Sequence, residues 1–561
     1  MKPPAAADRP GWSTYWHTLR HLRPRQLYGR VLFKLWKPAV DLSPAPPRRP
    51  LAGTWIEPPA GTPQLVGPSQ FVLLNEQHDL TDHGWDDAGL EKLWRYNLHY
   101  FADLTARDAG RRQNWHLTLL ARWVEENPPA RGTGWEPYPI SLRVVNWIKW
   151  VLAGNELPPA CLQSLAVQLR WLHDRLEYYL FGNHLFVNAK ALVFGGCFFS
   201  GAEADRWLAC GLEILRREIP EQILPDGAQF ELSPMYHSLA LEDMMDLRNI
   251  TIAYAQAITP EWKTCQSAWW ACIGRMRAWL AAMTHPDGDI GFFNDAATGI
   301  APAPAELEAY AARLGLTRPA SPRTGMIVLP DSGYIRVEQD GAVALVDVAR
   351  IGPDYMPGHG HADTLSFELS IGGQRVFVNS GTSQYGLSRE RLRQRGTAAH
   401  NTVVIAGENS SQVWSGFRVA RRARPVDLAI ERESAVKISC AHDGYRWLAG
   451  ALRHSRRWSF QVRSLTVADR VAGRGDRAAQ ARFHLHPDIF VREEAVAGAG
   501  SRYWLLLPGG GEVSITASGG HVRVEPATWH PAFGQTVPTF CLVVEFMSDV
   551  VETTFQWGNR Q

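Results

Sequence analysis

The chain has 561 residues, with 58 Lys and Arg against 56 Asp and Glu, for a formal net charge of +2. At about 150 residues per domain this length predicts two to four domains. A content of 45% hydrophobic and 20% charged residues excludes wholesale disorder, and the near balance of charge excludes a bulk nucleic-acid binder.

The seven Cys (Cys161, Cys197, Cys210, Cys265, Cys272, Cys440 and Cys541) form neither a disulfide framework nor a metal-finger spacing. MKPPAAADRPGW at the N-terminus lacks an apolar h-region, so the sequence as given reads as cytoplasmic, or as periplasmic if a leader is missing. The longest apolar stretch, residues 191–202, is interrupted by Gly195 and Gly196 and is too short for a transmembrane segment. The 23 Trp suit two tasks, stacking on sugar rings and packing between helices.

From Arg20 to Lys37 the sequence carries six Lys and Arg and no acid, interleaved with Leu27, Val31, Leu32, Leu35 and Trp36. This predicts a basic amphipathic helix docked on the main body, with a membrane-surface helix as the alternative. Residues 43–50, Ser-Pro-Ala-Pro-Pro-Arg-Arg-Pro, read as an extended linker. Between Leu90 and Leu316 apolar residues recur at steps of three and four. Leu90, Leu93, Trp94, Leu98, Phe101 and Leu104 make one helix face, and Leu165, Leu169, Leu172, Leu176 and Tyr179 another. Further helical runs follow at 207–219, 239–254, 270–283 and 305–314, separated by Gly- and Pro-containing loops.

Near Gly325 the period changes to two. Residues 334–337, 342–349, 364–371 and 375–378 read as strands, with Gly372-Gly373 as a tight hairpin turn. Strand patterns at 401–405, 503–507, 512–516 and 542–546 continue to the C-terminus. The expected fold class is α+β multidomain, helical first and a β-sandwich of antiparallel sheets second.

Chemistry-bearing residues gather in a few motifs. In PGHGHAD, His359 and His361 at i, i+2 on extended backbone would point to one side, as two neutral imidazoles converging on a transition metal would. His400, in AAHNTVV, heads a strand that could lie beside them. In FGNHLFVN, Asn183 and His184 follow one helix and precede an apolar one; helix capping is the plain alternative for Asn183. DGAQFELSPMYH sets Glu231, Tyr236 and His237 beside a helix start. Arg389, Arg391, Arg393 and Arg395 alternate, so extended backbone would give them one face suited to carboxylate or sulfate.

Taken in order, GNHLFVNAKAL, DGAQFELSPMYH, GHGHADTLSFEL, VFVNSGTSQYG and TAAHNTVV resemble the heparinase II/III-like polysaccharide lyases, from about Trp94 onward. The resemblance implies an incomplete (α/α) toroid over 81–322 and a C-terminal antiparallel β-sandwich over 323–561, after a basic N-terminal segment and linker over 1–80. It implies β-elimination at a uronic acid, on an acidic polysaccharide or its oligosaccharides. The basic N-terminus resembles the branch linked to bacterial exopolysaccharides. By the same resemblance Asn183 and His184 bind and neutralise the uronate carboxylate, Tyr236 is general base and acid, and His359 is an alternative base or neutralising group. Glu231, Arg393 and Arg395 would contact substrate. His361, Asn379 and His400 would hold a structural divalent metal, zinc first and manganese or calcium otherwise, although Asn379 stands where the family carries Asp and supplies no charge. No nucleic acid is expected as partner, and the oligomeric state is open. Two other classes fit parts of the sequence. One is a glycoside hydrolase using Glu231, Asp226 or Asp295, and the other a non-catalytic glycan-binding or export accessory protein.

Overall fold

The computed structural model describes residues 11–317, 325–432, 435–496 and 500–558. The leader reading of residues 1–10 and the boundary at 322/323 lie outside the described residues.

The helical half runs through Lys92–Tyr100, Gln113–Glu126, Pro137–Leu152, Pro159–Asp174, Gly182–Phe198, Ala202–Gln222, Pro234–Ala253, Pro260–Ala282 and Pro304–Arg313. Five of these start with Pro in the first turn, where the missing N–H costs nothing and the fixed φ suits the helix. Their apolar faces merge into one core. Trp94, Trp123, Trp147 and Trp279 are fully buried, so packing claims these four indoles. Gly182–Phe198 is buried along nearly its whole length, as a helix apolar on every side must be. The face read from Leu90 to Leu104 is broken. Phe101 takes φ 56°, the left-handed region, and ends the helix at Tyr100. Helices Gln113–Glu126 and Pro137–Leu152 had no counterpart in the apolar-period reading. Leu65, Phe71, Leu73 and Leu80, within the stretch assigned to the N-terminal segment, are also buried in this core.

The C-terminal half is built of antiparallel sheets. Five strands come first, in the order Gly325–Leu329, Tyr334–Gln339, Ala342–Asp347, Phe367–Ile371, Gln374–Phe377. Ile371 pairs with Gln374 across Gly372 and Gly373, both at positive φ, which is the two-residue hairpin expected there. An eight-stranded sheet, ordered from Pro425–Glu431 to Phe490–Val496, and a four-stranded one around Val537–Phe546 share a single core with it. Arg453–Gln461 buries every second residue, as a strand covered on one side does. Ala342–Asp347 is instead buried throughout, because the five-stranded sheet is covered on both faces. One face meets the other sheets. The opposite face meets Leu232, Trp279 and Met283 of the helical half through Tyr334, Val343 and Leu345.

The N-terminal segment forms two helices, Trp12–Leu19 and Pro24–Leu35, docked on the body through polar residues. Thr14, Thr18 and Gln26 are buried, while Leu27, Val31, Leu32, Leu35 and Trp36 face solvent. Residues 43–50 run extended over the helices, held by Arg170, which donates to the Ser43 and Pro44 carbonyls.

Candidate active site

A cleft of about 1580 Å³ lies between the two halves, lined by Asn183, His184, Glu231 and Tyr236 from the helical side and His359, Tyr385 and Phe417 from the sheet side. Local sequence explains each placement. Ser233 caps helix Pro234–Ala253, its Oγ accepting the Tyr236 N–H at 3.2 Å, which sets Tyr236 in the first turn with its ring toward the cleft. Asn183 and His184 occupy the first turn of helix Gly182–Phe198, so Asn183 is not the cap. Gly182 has φ 56°, and a Cβ there would come 2.1 Å from Met356 Cε of the opposite wall.

Asp295 is the hub on the sheet side. Fully buried, it takes His359 Nδ1 on Oδ2 at 2.9 Å and His361 Nε2 on Oδ1 at 2.8 Å. Arg391 grips both oxygens, with Nη2 at 2.6 Å from Oδ2 and Nη1 bonded to Oδ1. The Asp295 N–H donates to the His359 carbonyl at 3.0 Å, so backbone and side chain fix one geometry. Burial opposes ionisation of Asp295. The Arg391 cation and the two imidazole donors overcome it and hold the carboxyl well below the usual range.

With Nδ1 directed at Asp295, His359 turns Nε2 toward Glu231 Oε2, 3.4 Å away. The His359 ring lies 4.0 Å, centroid to centroid, from the Tyr236 ring. Tyr236 Oη is 3.0 Å from Tyr385 Oη. Burial, followed by Tyr385 and Tyr138, raises the Tyr236 phenol well above its ordinary value, so it rests protonated.

On the helical wall His184 Nδ1 meets Glu177 Oε2 at 3.1 Å, and Asn188 also donates to that carboxylate. Burial would lower the His184 pKa, but the Glu177 charge and hydrogen bond prevail and raise it above 6.5. The imidazolium is therefore favoured below that raised value and lost as pH climbs through it. If it binds an anionic substrate, KM rises with pH on that limb. Glu177→Gln removes the supporting charge and is expected to move the limb down by roughly one unit or more, read from kcat/KM against pH. An unmoved limb would dissociate His184 from substrate charge.

Three expectations are corrected. His359 and His361 do converge, but from a turn rather than extended backbone, and both meet the Asp295 carboxylate. The arginine run is a helix, Arg389–Arg395, capped by Ser388. Its inward arginines are Arg391 and Arg395, and Arg395 spends its donors on the carbonyls of Gly360, Ser415 and Gly416. Arg393 pairs with Glu390 and bonds Thr528, and neither Arg393 nor Arg395 lines the cleft. The carboxylates of the hydrolase reading are not paired across the cleft. Asp295 is locked as described, Asp226 accepts from Asp331 and Ser332 away from the cleft, and Glu231 is left without a mate among the three.

Of the three residues expected to hold a metal, two offer bare ring nitrogens and the third does not fit. His361 and His400 are buried with ring centroids 5.2 Å apart, and among the described residues His361 Nδ1 and both His400 nitrogens have no hydrogen-bond partner. Burial pushes His361 down to about 4 and His400 well below 6.5, which keeps both neutral, as ligation requires. Asn379 does not fit. Its Oδ1 accepts from the Asn401 N–H at 3.2 Å, and among the described residues no trio of His, Cys, Asp or Glu is gathered to hold a metal. A carboxylate in that place would supply the missing charge. Asn379→Asp is expected to tighten zinc binding by roughly tenfold, measured by competition with a chromophoric chelator. Equal affinities would remove position 379 from any ligand set.

Glu177, Tyr385 and the hub role of Asp295 carry no signal that the sequence reading picks out. Tyr385 lay in plain view in VFVNSGTSQYG. Arg391 was visible, but with the wrong backbone period.

Residues 94–310 match the family described as Heparinase II/III N-terminus, and residues 321–558 match Heparinase II/III-like, C-terminal. The heparin-sulfate lyase of Bacteroides stercoris is 27% identical over 327 residues, 54% of this chain and 48% of that protein. That of Pedobacter heparinus is also 27% identical, over 51% of this chain and 47% of its own length. The chain thus spans about half the length of these relatives. Among solved structures, heparinase III superposes with a TM-score of 0.68 at 18% identity, covering 85% of this chain and 80% of that one. Heparan sulfate lyase HepC from Pedobacter heparinus gives a TM-score of 0.58 at 17% identity, covering 96% and 88%. With both halves matched in their proper order, the chain belongs to the heparinase II/III-like family.

Proposed function

We propose that the protein is a polysaccharide lyase that cleaves a uronate-containing acidic polysaccharide by β-elimination. The observation that carries this reading is the convergence of Asn183, His184 and Tyr236 from the helices with His359 from the sheets on one cleft. In this reading the helices form the incomplete (α/α) toroid and the sheets the β-sandwich that the family resemblance implies.

Abstraction of the proton α to a carboxylate requires that the carboxylate take up negative charge. The Asn183 amide and the His184 imidazolium stabilise that charge from fixed positions. Tyr236 enters protonated and donates to the departing C4 oxygen. His359 Nε2, with Nδ1–H anchored on Asp295, takes the C5 proton when the two atoms lie on opposite faces of the sugar. When they share a face, Tyr236 must act as the phenolate, its proton lost to solvent through the open cleft, and Tyr385 Oη at 3.0 Å, itself kept protonated by burial, donates the hydrogen bond that steadies the phenolate. No step is routed through a metal. A divalent cation at His361 and His400, zinc before manganese or calcium, would serve the sheet domain as a structural element only.

The cleft wall indicates how densely charged the substrate is. Seven Lys and Arg line it against nine Asp and Glu, a balance that suits widely spaced carboxylates better than a heavily sulfated chain. This supports unsulfated uronate polysaccharides, a bacterial exopolysaccharide among them, over a heavily sulfated glycosaminoglycan. The decisive experiment incubates the purified protein with sulfated and unsulfated uronate polysaccharides and follows ultraviolet absorbance of the unsaturated uronate. The expected result is product from the unsulfated set. Cleavage without that chromophore would indicate hydrolysis, and tight binding without cleavage an accessory protein.

A further inference from the structure

We propose that the two N-terminal helices, Trp12–Leu19 and Pro24–Leu35, are a docking surface for an anionic lipid bilayer. The two helices are inside out. Thr14, Thr18 and Gln26 face the body, where Gln412 donates to Thr14 Oγ1, Trp414 donates to Thr18 Oγ1, and Gln26 donates to the Tyr355 carbonyl, each at 3.1 Å. The outward faces are apolar. In the first helix Trp12, Trp16 and Leu19 fall at steps of four and three, with Trp12 at 92% and Trp16 at 66% exposure, while Tyr15 packs edge-on against Trp414. In the second, Leu27, Tyr28, Val31, Leu32 and Leu35 make one stripe, with Leu35 at 79%. Isolated exposed apolar residues are ordinary on a protein surface, but a continuous stripe on each of two adjacent helices is not.

This orientation is imposed by the body and is not a loose terminus. Gly29 sits so close to Tyr179 that a Cβ would lie 2.9 Å from Tyr179 Cβ. Arg175 stacks 3.6 Å over the Phe33 ring and donates to the Phe33 carbonyl at 2.7 Å. Arg23 pairs with Glu221. A helix so pinned cannot roll its apolar stripe inward.

The charge pattern selects the occupant. Between Arg20 and Lys37 there are six cations and no acid, and Arg20, Lys34 and Lys37 are exposed. A second copy of the same face would bring like charges together. Anionic headgroups instead neutralise them while the apolar stripes enter the acyl boundary. Trp12, Trp16 and Trp36, amphipathic and exposed, are the residue type that settles at that boundary.

The test uses the full chain with vesicles of phosphatidylcholine alone or of phosphatidylcholine mixed with phosphatidylglycerol. Sedimentation should show at least roughly tenfold stronger partition to the anionic vesicles, weakening as salt is raised. Leu32→Ser with Leu35→Ser, on exposed positions and checked for folding by circular dichroism, should abolish binding. Arg20→Gln, Lys34→Gln and Lys37→Gln combined should remove its salt dependence. Equal partition to both vesicles, or no partition, overturns the proposal, as does binding unaffected by the serine variant. Self-association without lipid that the serine variant abolishes would assign the face to a second copy. Capture by an acidic polysaccharide that vesicles fail to displace would assign it to glycan.

Discussion

Tyr236→Phe is expected to lower kcat by about 10²- to 10⁴-fold, the range for loss of one positioned acid–base group. The substitution deletes one oxygen and little else. The ring keeps its place against His359, and the Ser233 cap holds the helix start through a backbone N–H rather than the phenol. KM should change little if, as proposed, the carboxylate is held by Asn183 and His184. The measurement is the initial rate of ultraviolet-absorbing product together with a thermal melt. A variant within a few fold of the parent would remove Tyr236 from the mechanism. His359→Ala supplies the comparison. If the double variant is no slower than the slower single one, the two act in one proton-transfer unit.

The largest effect on stability belongs to Asp295→Ala. This residue is wholly buried and its carboxylate binds Arg391, His359 and His361. Its removal leaves the Arg391 guanidinium buried without a counter-charge, a loss of about 3–5 kcal/mol for such a pair. Urea unfolding should register that loss, and Asp295→Ala with Arg391→Met should recover part of it, since the orphaned cation goes too. If both variants unfold alike, the pair is not coupled. The carboxyl is held below its unfolded value, so its contribution is complete at neutral pH and fades only as pH falls below about 4. Activity should fall as well, because His359 loses the anchor that fixes its tautomer.

What could be read from sequence divides along contact range. The helices and hairpins were legible because their signals are local: Pro at first turns, the Gly372-Gly373 pair, apolar steps of three or two. Asn183, His184 and Tyr236 were legible as a motif set, and they do line one cleft. The hub was not, since Asp295 and His359 stand 64 positions apart and nothing local links them. The arginine run failed for a different reason. Residues two apart share a face only on a strand; on a helix the partners are four apart, which is why Arg391 and Arg395 turn inward while Arg393 does not. Ser388 ahead of that run was the capping signal that would have favoured the helix. The N-terminal segment reads as a helix docked on the body, but its pattern does not say by which side. Amphipathicity identifies two faces without saying which one meets the body, and here Gln412, Trp414 and Tyr355 offered polar partners.

Thr18, Leu22, Gln26 and Arg30 also belong to the rim of the cleft, and the segment that carries them is bonded to Trp414 on one wall and to Arg175 and Glu221 on the other. It therefore acts as a buckle across the seam. Any rocking of one half against the other must stretch that fastening or carry it along. An event that grips the buckle from outside would be felt as a change in how wide the jaws can open.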